Sequence, residues 1–238
     1  MISESVQTPF IVAIDGPAGS GKTTTARELA RLLDFVYIDT GAMYRAVALA
    51  SRERGLTADD RTEICAMLPE LEIRMESLEG VQRTLLDGRD VEAEIRTQEI
   101  ARAASDISAI ACVREAMVDL QRSAALGAAG AILEGRDIGT VVFPKAPCKI
   151  FLVADVHTRA LRRQRQLAES GTVSALEVIE REIAERDRND AARDHSPLRK
   201  AADAIEVETT NTTIDEQVMM ILTLVRKRLE SVQKGMQS

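Results

Sequence analysis

Apolar residues run without a break through Phe10-Ile11-Val12-Ala13-Ile14, stop at Asp15-Gly16-Pro17-Ala18-Gly19-Ser20-Gly21, and resume with a wider spacing at Ala26, Leu29, Ala30 and Leu33. The solid run predicts a buried strand, the glycine cluster a turn, and the wider spacing a helix over Lys22 to Leu33. Four more short apolar runs, Phe35 to Ile38, Ala131 to Leu133, Lys149 to Ala154 and Ala204 to Val207, are separated by helical stretches. Strands alternating with helices predict an α/β fold, a parallel sheet with helices on both faces. The last helix is expected to open with Thr213 and Glu216 in capping-box spacing and to pack on the sheet through Val218, Ile221, Leu222, Val225, Leu229 and Val232.

One region breaks the alternation. From about Leu71 to Ile95, Leu71, Ile73 and Met75 alternate with Glu72, Arg74 and Glu76, and Asp87-Gly88 supplies a turn before Val91. This period of two predicts small antiparallel hairpins inserted in the α/β protein. Gln98 to Ala125 follows as one long or two short helices. There is no internal repeat and no low-complexity linker, so insertions rather than a second tandem domain account for the length of 238 residues.

Composition narrows the function classes. With 31 basic and 38 acidic residues the net charge is -7, which argues against holding a long nucleic acid by counterion release. Aromatics are 3% of the chain and tryptophan is absent, which leaves few rings for stacking on bases or for a membrane interface. The longest uncharged apolar run, Ala124 to Leu133, is half a membrane span, and Met1 to Thr8 carries Glu4 instead of a basic segment and apolar stretch. The expectation is a cytoplasmic protein with small ligands and no membrane partner. Three cysteines, Cys65, Cys112 and Cys148, share no spacing typical of metal sites, and their odd number predicts reduced thiols without a disulfide framework. Arginines outnumber lysines 25 to 6, a bias compatible with phosphate handling and equally with codon usage.

Gly16-Pro17-Ala18-Gly19-Ser20-Gly21-Lys22-Thr23 fits G-x-x-x-x-G-K-[ST] without mismatch, between a strand and a helix as its chemistry requires. Backbone N–H groups of such a loop converge on an anion, Lys22 reaches the β and γ phosphates, and the Thr23 hydroxyl ligates Mg²⁺. ATP and Mg²⁺ are the expected cofactors, with Thr24 beside them. No base-reading motif of a GTPase is present, and the chain is too small for a motor. Transfer of a phosphoryl group to a small acceptor is the leading expectation. Which nucleoside monophosphate or other small metabolite accepts the group is left open by the loop alone, and a nucleotide switch with no acceptor is the alternative.

The acceptor side is carried by Asp39-Thr40-Gly41-Ala42-Met43-Tyr44-Arg45, Ile95-Arg96-Thr97, Val113-Arg114-Glu115, Glu134-Gly135-Arg136-Asp137-Ile138-Gly139-Thr140-Val141-Val142-Phe143-Pro144, and Glu185-Arg186-Asp187-Arg188-Asn189-Asp190 with Arg193. With these the sequence resembles the bacterial cytidylate kinases, nucleoside monophosphate kinases that phosphorylate CMP and dCMP, from about Phe10 to Leu229. The resemblance implies a three-layer P-loop fold with a five-stranded parallel sheet and a single kinase domain over 1–238. Within it the core would comprise 9–40, 128–155 and 196–235. An NMP-binding region would span 41–127, with the β insertion at about 70–95, and a short lid with its flanking helices 156–195. It implies a monomer.

It also implies roles. Thr40, Tyr44, Arg45 and Arg136 would surround the acceptor phosphate, two guanidiniums making charge-assisted bonds. Ser105, Arg114 and Asp137 would read cytosine, a carboxylate accepting from N4–H₂ where uracil presents a repelling O4. Arg186, Asp190 and Arg193, spaced to share one helix face, would meet the ribose and phosphates. Arg159, Arg162 and Arg163, on a helix capped by Asp155, would close over ATP. Lys22, Arg136, Arg186 and Arg162 are the expected catalytic cations. His157 and His195 receive no role.

Overall fold

The computed structural model describes residues 9–78, 81–169, 171–193 and 196–235. The expectations for the N-terminal eight residues and for His195 lie outside the described residues. Two compact units divide the chain after Tyr37 and after Ala125.

The first unit carries the sheet. Its strands are β1 (Phe10–Asp15), β2 (Val36–Asp39, at the boundary), β6 (Gly130–Gly135), β7 (Cys148–Val153) and β8 (Ile205–Glu208), in the order β2-β6-β1-β7-β8. The register pairs Ile14 with Glu134 and Asp15 with Gly135 on one side of β1, and Asp15 with Phe151 on the other. The sheet is parallel, as the alternation of strands and helices predicts. Residues pointing to both sides of β1 are buried, from Ile11 through Asp15, which is why the strand reads as a solid apolar run and not as an alternation.

Helix α1 (Lys22–Leu33) and helix α8 (Ile214–Gly235) pack on the sheet, bringing Ala26, Leu29, Ala30, Val218, Ile221, Leu222 and Val225 against Val12, Ile14, Ile132, Ile150 and Leu152. Thr213 and Glu216 form the reciprocal capping box, the Thr213 N–H donating to Glu216 Oε2 at 2.8 Å and the Glu216 N–H to Thr213 Oγ1 at 3.3 Å. A buried polar tie joins the two helices, Gln217 Nε2 donating to Thr25 Oγ1 at 2.6 Å. Helices α6 (Val156–Glu169) and α7 (Leu176–Ala191) share a smaller core of Ala160, Leu167, Ile179 and Ile183. This is the region expected to be the lid. At Gly130 an added Cβ would stand 2.4 Å from the Phe35 ring, so the start of β6 admits only glycine.

The second unit is built on α2 (Thr40–Glu53) with α3 (Arg61–Met67), α4 (Gln98–Ile107) and α5 (Ala111–Ala124). The inserted hairpins form the antiparallel sheet β3 (Ile73–Leu78), β4 (Val81–Leu86) and β5 (Arg89–Asp90). Asp87 and Gly88 both take positive φ at the β4–β5 turn, 51° and 79°, the geometry that twisted two-residue hairpins favour. Gln98 to Ala125 is two helices, α4 capped by Thr97.

One expectation is overturned. Cys65 on α3 and Cys112 on α5 are joined in a disulfide, their Cα atoms 5.8 Å apart and 47 residues apart in sequence. No local pattern announces the pair, because it depends on how α3 packs against α5. Cys148 is the free cysteine among the described residues, and burial pushes its thiol up to about 11.

Candidate active site

The loop leaves β1 after Asp15 and turns into α1. Gly16 sits at φ +150°, and a Cβ there would lie 2.3 Å from the Leu152 carbonyl oxygen, so only glycine lets the chain pass β7 at this point. The Ser20 hydroxyl and Lys22 Nζ both donate to the Pro17 carbonyl, at 3.0 Å and 2.6 Å, closing the loop on itself. From α6, Arg159 holds the loop's main chain: Nη1 donates to the Ala18 carbonyl at 3.1 Å, Nε to the Ala154 carbonyl at 3.0 Å, and Nη2 pairs with Asp187 at 2.6 Å. Arg162 donates to the carbonyl and hydroxyl of Thr209. Arg163 reaches Gln166 at 2.8 Å, and the Asp155 cap is present, Thr158 N–H donating to Oδ1 at 2.7 Å. Sequence spacing put these arginines on one face; their partners reach the P-loop, Thr209 and α6 itself.

The Thr23 hydroxyl donates to Glu134 Oε2 at 2.9 Å, and the Tyr37 hydroxyl donates to Glu134 Oε1 at 2.6 Å. Glu134 is buried. The sequence reading quotes it within the acceptor-side motif and gives it no role. Its signal is an acidic residue ending the apolar run Ala131 to Leu133 on a strand parallel to the P-loop strand. A hydroxyl beside a carboxylate is an oxygen donor set that suits Mg²⁺. Among the described residues no cluster of three or more His, Cys, Asp or Glu could cage a metal alone.

Around Lys22 the first unit gathers cations. Burial, then Arg136, and further on Arg186 push the Lys22 ammonium well below its ordinary value, against Glu134 and Asp15. Arg136 is aimed by Asp190: its Nε donates to Oδ2 at 2.8 Å and its Nη1 to the Gly135 carbonyl at 3.2 Å. Burial alone would raise the Asp190 carboxyl, yet Arg136, Arg193 and Arg186 hold it below the usual carboxylate range. Helix α7 ends at Ala191, so Arg193 lies beyond the helix instead of on the face its spacing suggests; it still turns back to Asp190 Oδ1. Leu198 N–H bonds the Asp190 carbonyl at 2.8 Å.

Asp137 is 5% exposed and precedes a single π-helical turn, Ile138–Val142. Its carbonyl accepts from the N–H groups of Thr140, Val141 and Val142 at 3.3, 2.8 and 3.2 Å. Such turns are rare and concentrate at functional sites.

In the second unit Asp39 caps α2, accepting from the Ala42 N–H at 2.9 Å and from Arg96 Nη1 at 2.9 Å, with Arg45 Nη1 at 3.9 Å. Burial would lift this carboxyl, and the charges of Arg45 and Arg96 outweigh it and hold it low. The same α2 carries Thr40, which is buried, and Tyr44, over whose ring the Arg114 guanidinium lies 5.5 Å from the centroid. Arg114 is 4% exposed and donates to the Ser108 carbonyl at 3.2 Å, while the Ser108 hydroxyl donates to the Ser105 carbonyl at 2.7 Å. Ser105, Arg114 and Tyr44 are thus linked through Ser108 and a cation–π contact. Asp39 and Arg96, given no role by the sequence reading, form an ion pair beside Arg45. His157 is an exposed partner of Glu180 at 2.6 Å.

Residues 12–227 match the family described as cytidylate kinase. The cytidylate kinase of Lactobacillus gasseri is 46% identical over 217 residues, covering 91% of this chain and 94% of that protein. That of Chlorobaculum tepidum is 45% identical over 228 residues, covering 93% and 95%. Among solved structures, an uncharacterized protein from Eubacterium ventriosum aligns with a TM-score of 0.51 at 13% identity, over 91% of this chain and 98% of that one, a likeness of fold alone. Identity of this level, sustained through both units and both halves of the nucleotide machinery, has one meaning: the chain belongs to the cytidylate kinase family.

Proposed function

We infer that the protein transfers the γ-phosphoryl group of ATP to CMP or dCMP, giving ADP and CDP or dCDP. The observation that carries this reading is the phosphate loop with its buried Lys22 and with Thr23 on Glu134, and the gathering beside it of the cations Arg136, aimed by Asp190, and Arg186, which add to burial in holding the Lys22 ammonium low. Like charges held together in a buried site have little to recommend them for stability, and bound phosphates relieve their repulsion. A donor triphosphate beside an acceptor monophosphate supplies that charge.

In this mechanism the loop N–H groups and Lys22 bind the donor phosphates. Thr23 and Glu134 would hold Mg²⁺, which when bound neutralises charge on those phosphates. Arg159 acts on the loop carbonyl of Ala18, keeping the loop N–H groups turned toward the phosphates. Arg136, fixed by Asp190, and Arg186 stabilise the charge that spreads over the transferring group. The attacking acceptor oxygen is already anionic near neutral pH, so no general base is required. From the second unit, Thr40, Tyr44 and Arg45 are assigned to the acceptor phosphate and Ser105 and Arg114 to its base; from the first, Asp137 accepts from the cytosine amino group. Arg193 and Asp190 are assigned to the ribose. Among the described residues no helix is long and apolar enough to cross a membrane. The reading places the enzyme with the cytoplasmic nucleotide pool.

ADP release with MgATP is the test, against equal low concentrations of CMP, dCMP, UMP, AMP, GMP and no acceptor. Fastest turnover with CMP and dCMP and almost none without acceptor is expected. Equal slow release in every tube overturns the acceptor assignments and leaves a nucleotide switch.

A further inference from the structure

The carboxyl that ends β1 has no part in the mechanism above. Asp15 is 4% exposed, and each of its oxygens accepts one backbone N–H of the π turn: Oδ1 from Ile138 at 2.9 Å and Oδ2 from Gly139 at 2.8 Å. Those amides begin a helical turn and have no partner within it. The turn lies close: a Cβ added at Gly139 would stand 3.1 Å from Lys149 Cδ and 3.4 Å from Asp15 Oδ2. Asp15 is also bonded directly to Gly16, the first residue of the phosphate loop.

We propose that Asp15 is a positioning residue that ties the donor loop to the acceptor-reading segment, its carboxylate clamping the Ile138 and Gly139 amides so that Arg136 and Asp137 are presented at a fixed place relative to Gly16. The proposal rests on the assignment of Arg136 and Asp137 to the acceptor.

The chemistry of the clamp calls for a carboxylate. Two convergent N–H donors need two acceptor atoms, which an ionised carboxyl offers and an amide does not. The carboxyl is kept there against its surroundings: burial pushes it up to about 6 despite the two amides and Lys22, with Asp137 adding repulsion. On the flanking strands, Glu134 is engaged by Thr23 and Tyr37, and Lys149 by Asp203 at 2.8 Å and the Pro144 carbonyl at 2.6 Å. Neither strand gives Asp15 an ion-pair partner among the described residues. A group held at such cost does something that packing alone would not select.

The test is steady-state kinetics of Asp15→Asn. The expected result is a KM for CMP raised about tenfold or more, a CMP over UMP preference reduced several-fold, and a KM for ATP changed less than twofold. A KM for CMP that stays put, or CMP and ATP affected in parallel with base preference intact, overturns the proposal. Asp137→Ala in the same assay separates it from the reading it rests on. If that variant keeps CMP binding and base preference, the acceptor assignment fails. If it loses them while Asp15→Asn does not, only the clamp fails. Should Asp15→Asn not fold, the wild-type protein decides: NMR couplings across the hydrogen bonds from the Ile138 and Gly139 amides to the Asp15 carboxyl carbon are expected at pH 7, and their absence while those of neighbouring main-chain hydrogen bonds are seen overturns the clamp.

Discussion

Two strands of this protein end in a buried aspartate that accepts the first main-chain N–H groups of a helical turn, Asp39 from the helix that follows its own strand and Asp15 from the π turn that follows β6, and the two carboxyls meet opposite fates. Asp15, at the end of β1, accepts two main-chain N–H groups and is lifted to about 6, because burial outweighs the amides and Lys22. Asp39, at the end of β2, is as deeply buried and accepts one main-chain N–H, yet Arg45 and Arg96 hold it below its ordinary value. Burial is common to both, so it does not decide the charge state. The number of guanidiniums within reach does. In the second unit the carboxylate serves both the main chain and the cations Arg96 and Arg45; in the first it serves the main chain.

The difference can be broken from either side. Asp39→Asn leaves two arginines without their shared counter-charge, and the unfolding free energy is expected to fall by about 3 kcal/mol, read from urea midpoints at pH 7. A loss below about 1 kcal/mol would show that Arg96 is satisfied by Glu92 alone. The next effect is on pH dependence. Asp15 has a raised native pKa, so the folded state binds its proton more tightly than the unfolded chain, and this group adds stability as pH falls from about 6 toward 4. Wild type is therefore expected to gain about 2–3 kcal/mol on Asp15→Asn between pH 7 and pH 4. Asp39 and Asp190 run the other way, contributing above the ordinary carboxylate range and losing that contribution as pH falls through their lowered native values. An unchanged difference between wild type and Asp15→Asn across the ramp would refute the sign.

A finer change makes Asp39 resemble Asp15. Arg96→Gln removes one cation and is expected to move the Asp39 carboxyl upward in a ¹³C titration, with a stability loss of about 1 kcal/mol because Arg96 is partly solvated. The smallest effect is a control. Glu28 and Arg31 form an exposed pair on α1, and Glu28→Gln should leave the urea midpoint where it is.

What the sequence disclosed follows from the range of the interactions involved. The phosphate loop, the capping box at Thr213 and the Asp87-Gly88 turn are local, and their residues announce them. β1, β6 and β7 were legible because strands buried on both faces read as solid apolar runs, whereas β2 and β8, partly exposed, left a weaker trace. Glu134 sat in plain view but acquires meaning only through the register that sets it beside the P-loop strand, where Thr23 donates to it. The spacing of Arg159 groups it with Arg162 and Arg163 but does not say which carbonyl lies nearby, so its bond to Ala18 of the phosphate loop could not be read from the sequence. The end of α7 at Ala191 and the return of Arg193 to Asp190 depend on a bend that helical periodicity cannot foresee.

The bond between Cys65 and Cys112 encloses residues 66–111, and with them the whole antiparallel sheet β3–β5, in a closed loop of main chain and disulfide. Connectivity within that loop is redundant. A single protease cut between the two cysteines would leave one molecule, running as one band on a non-reducing gel and as two fragments once a thiol is added.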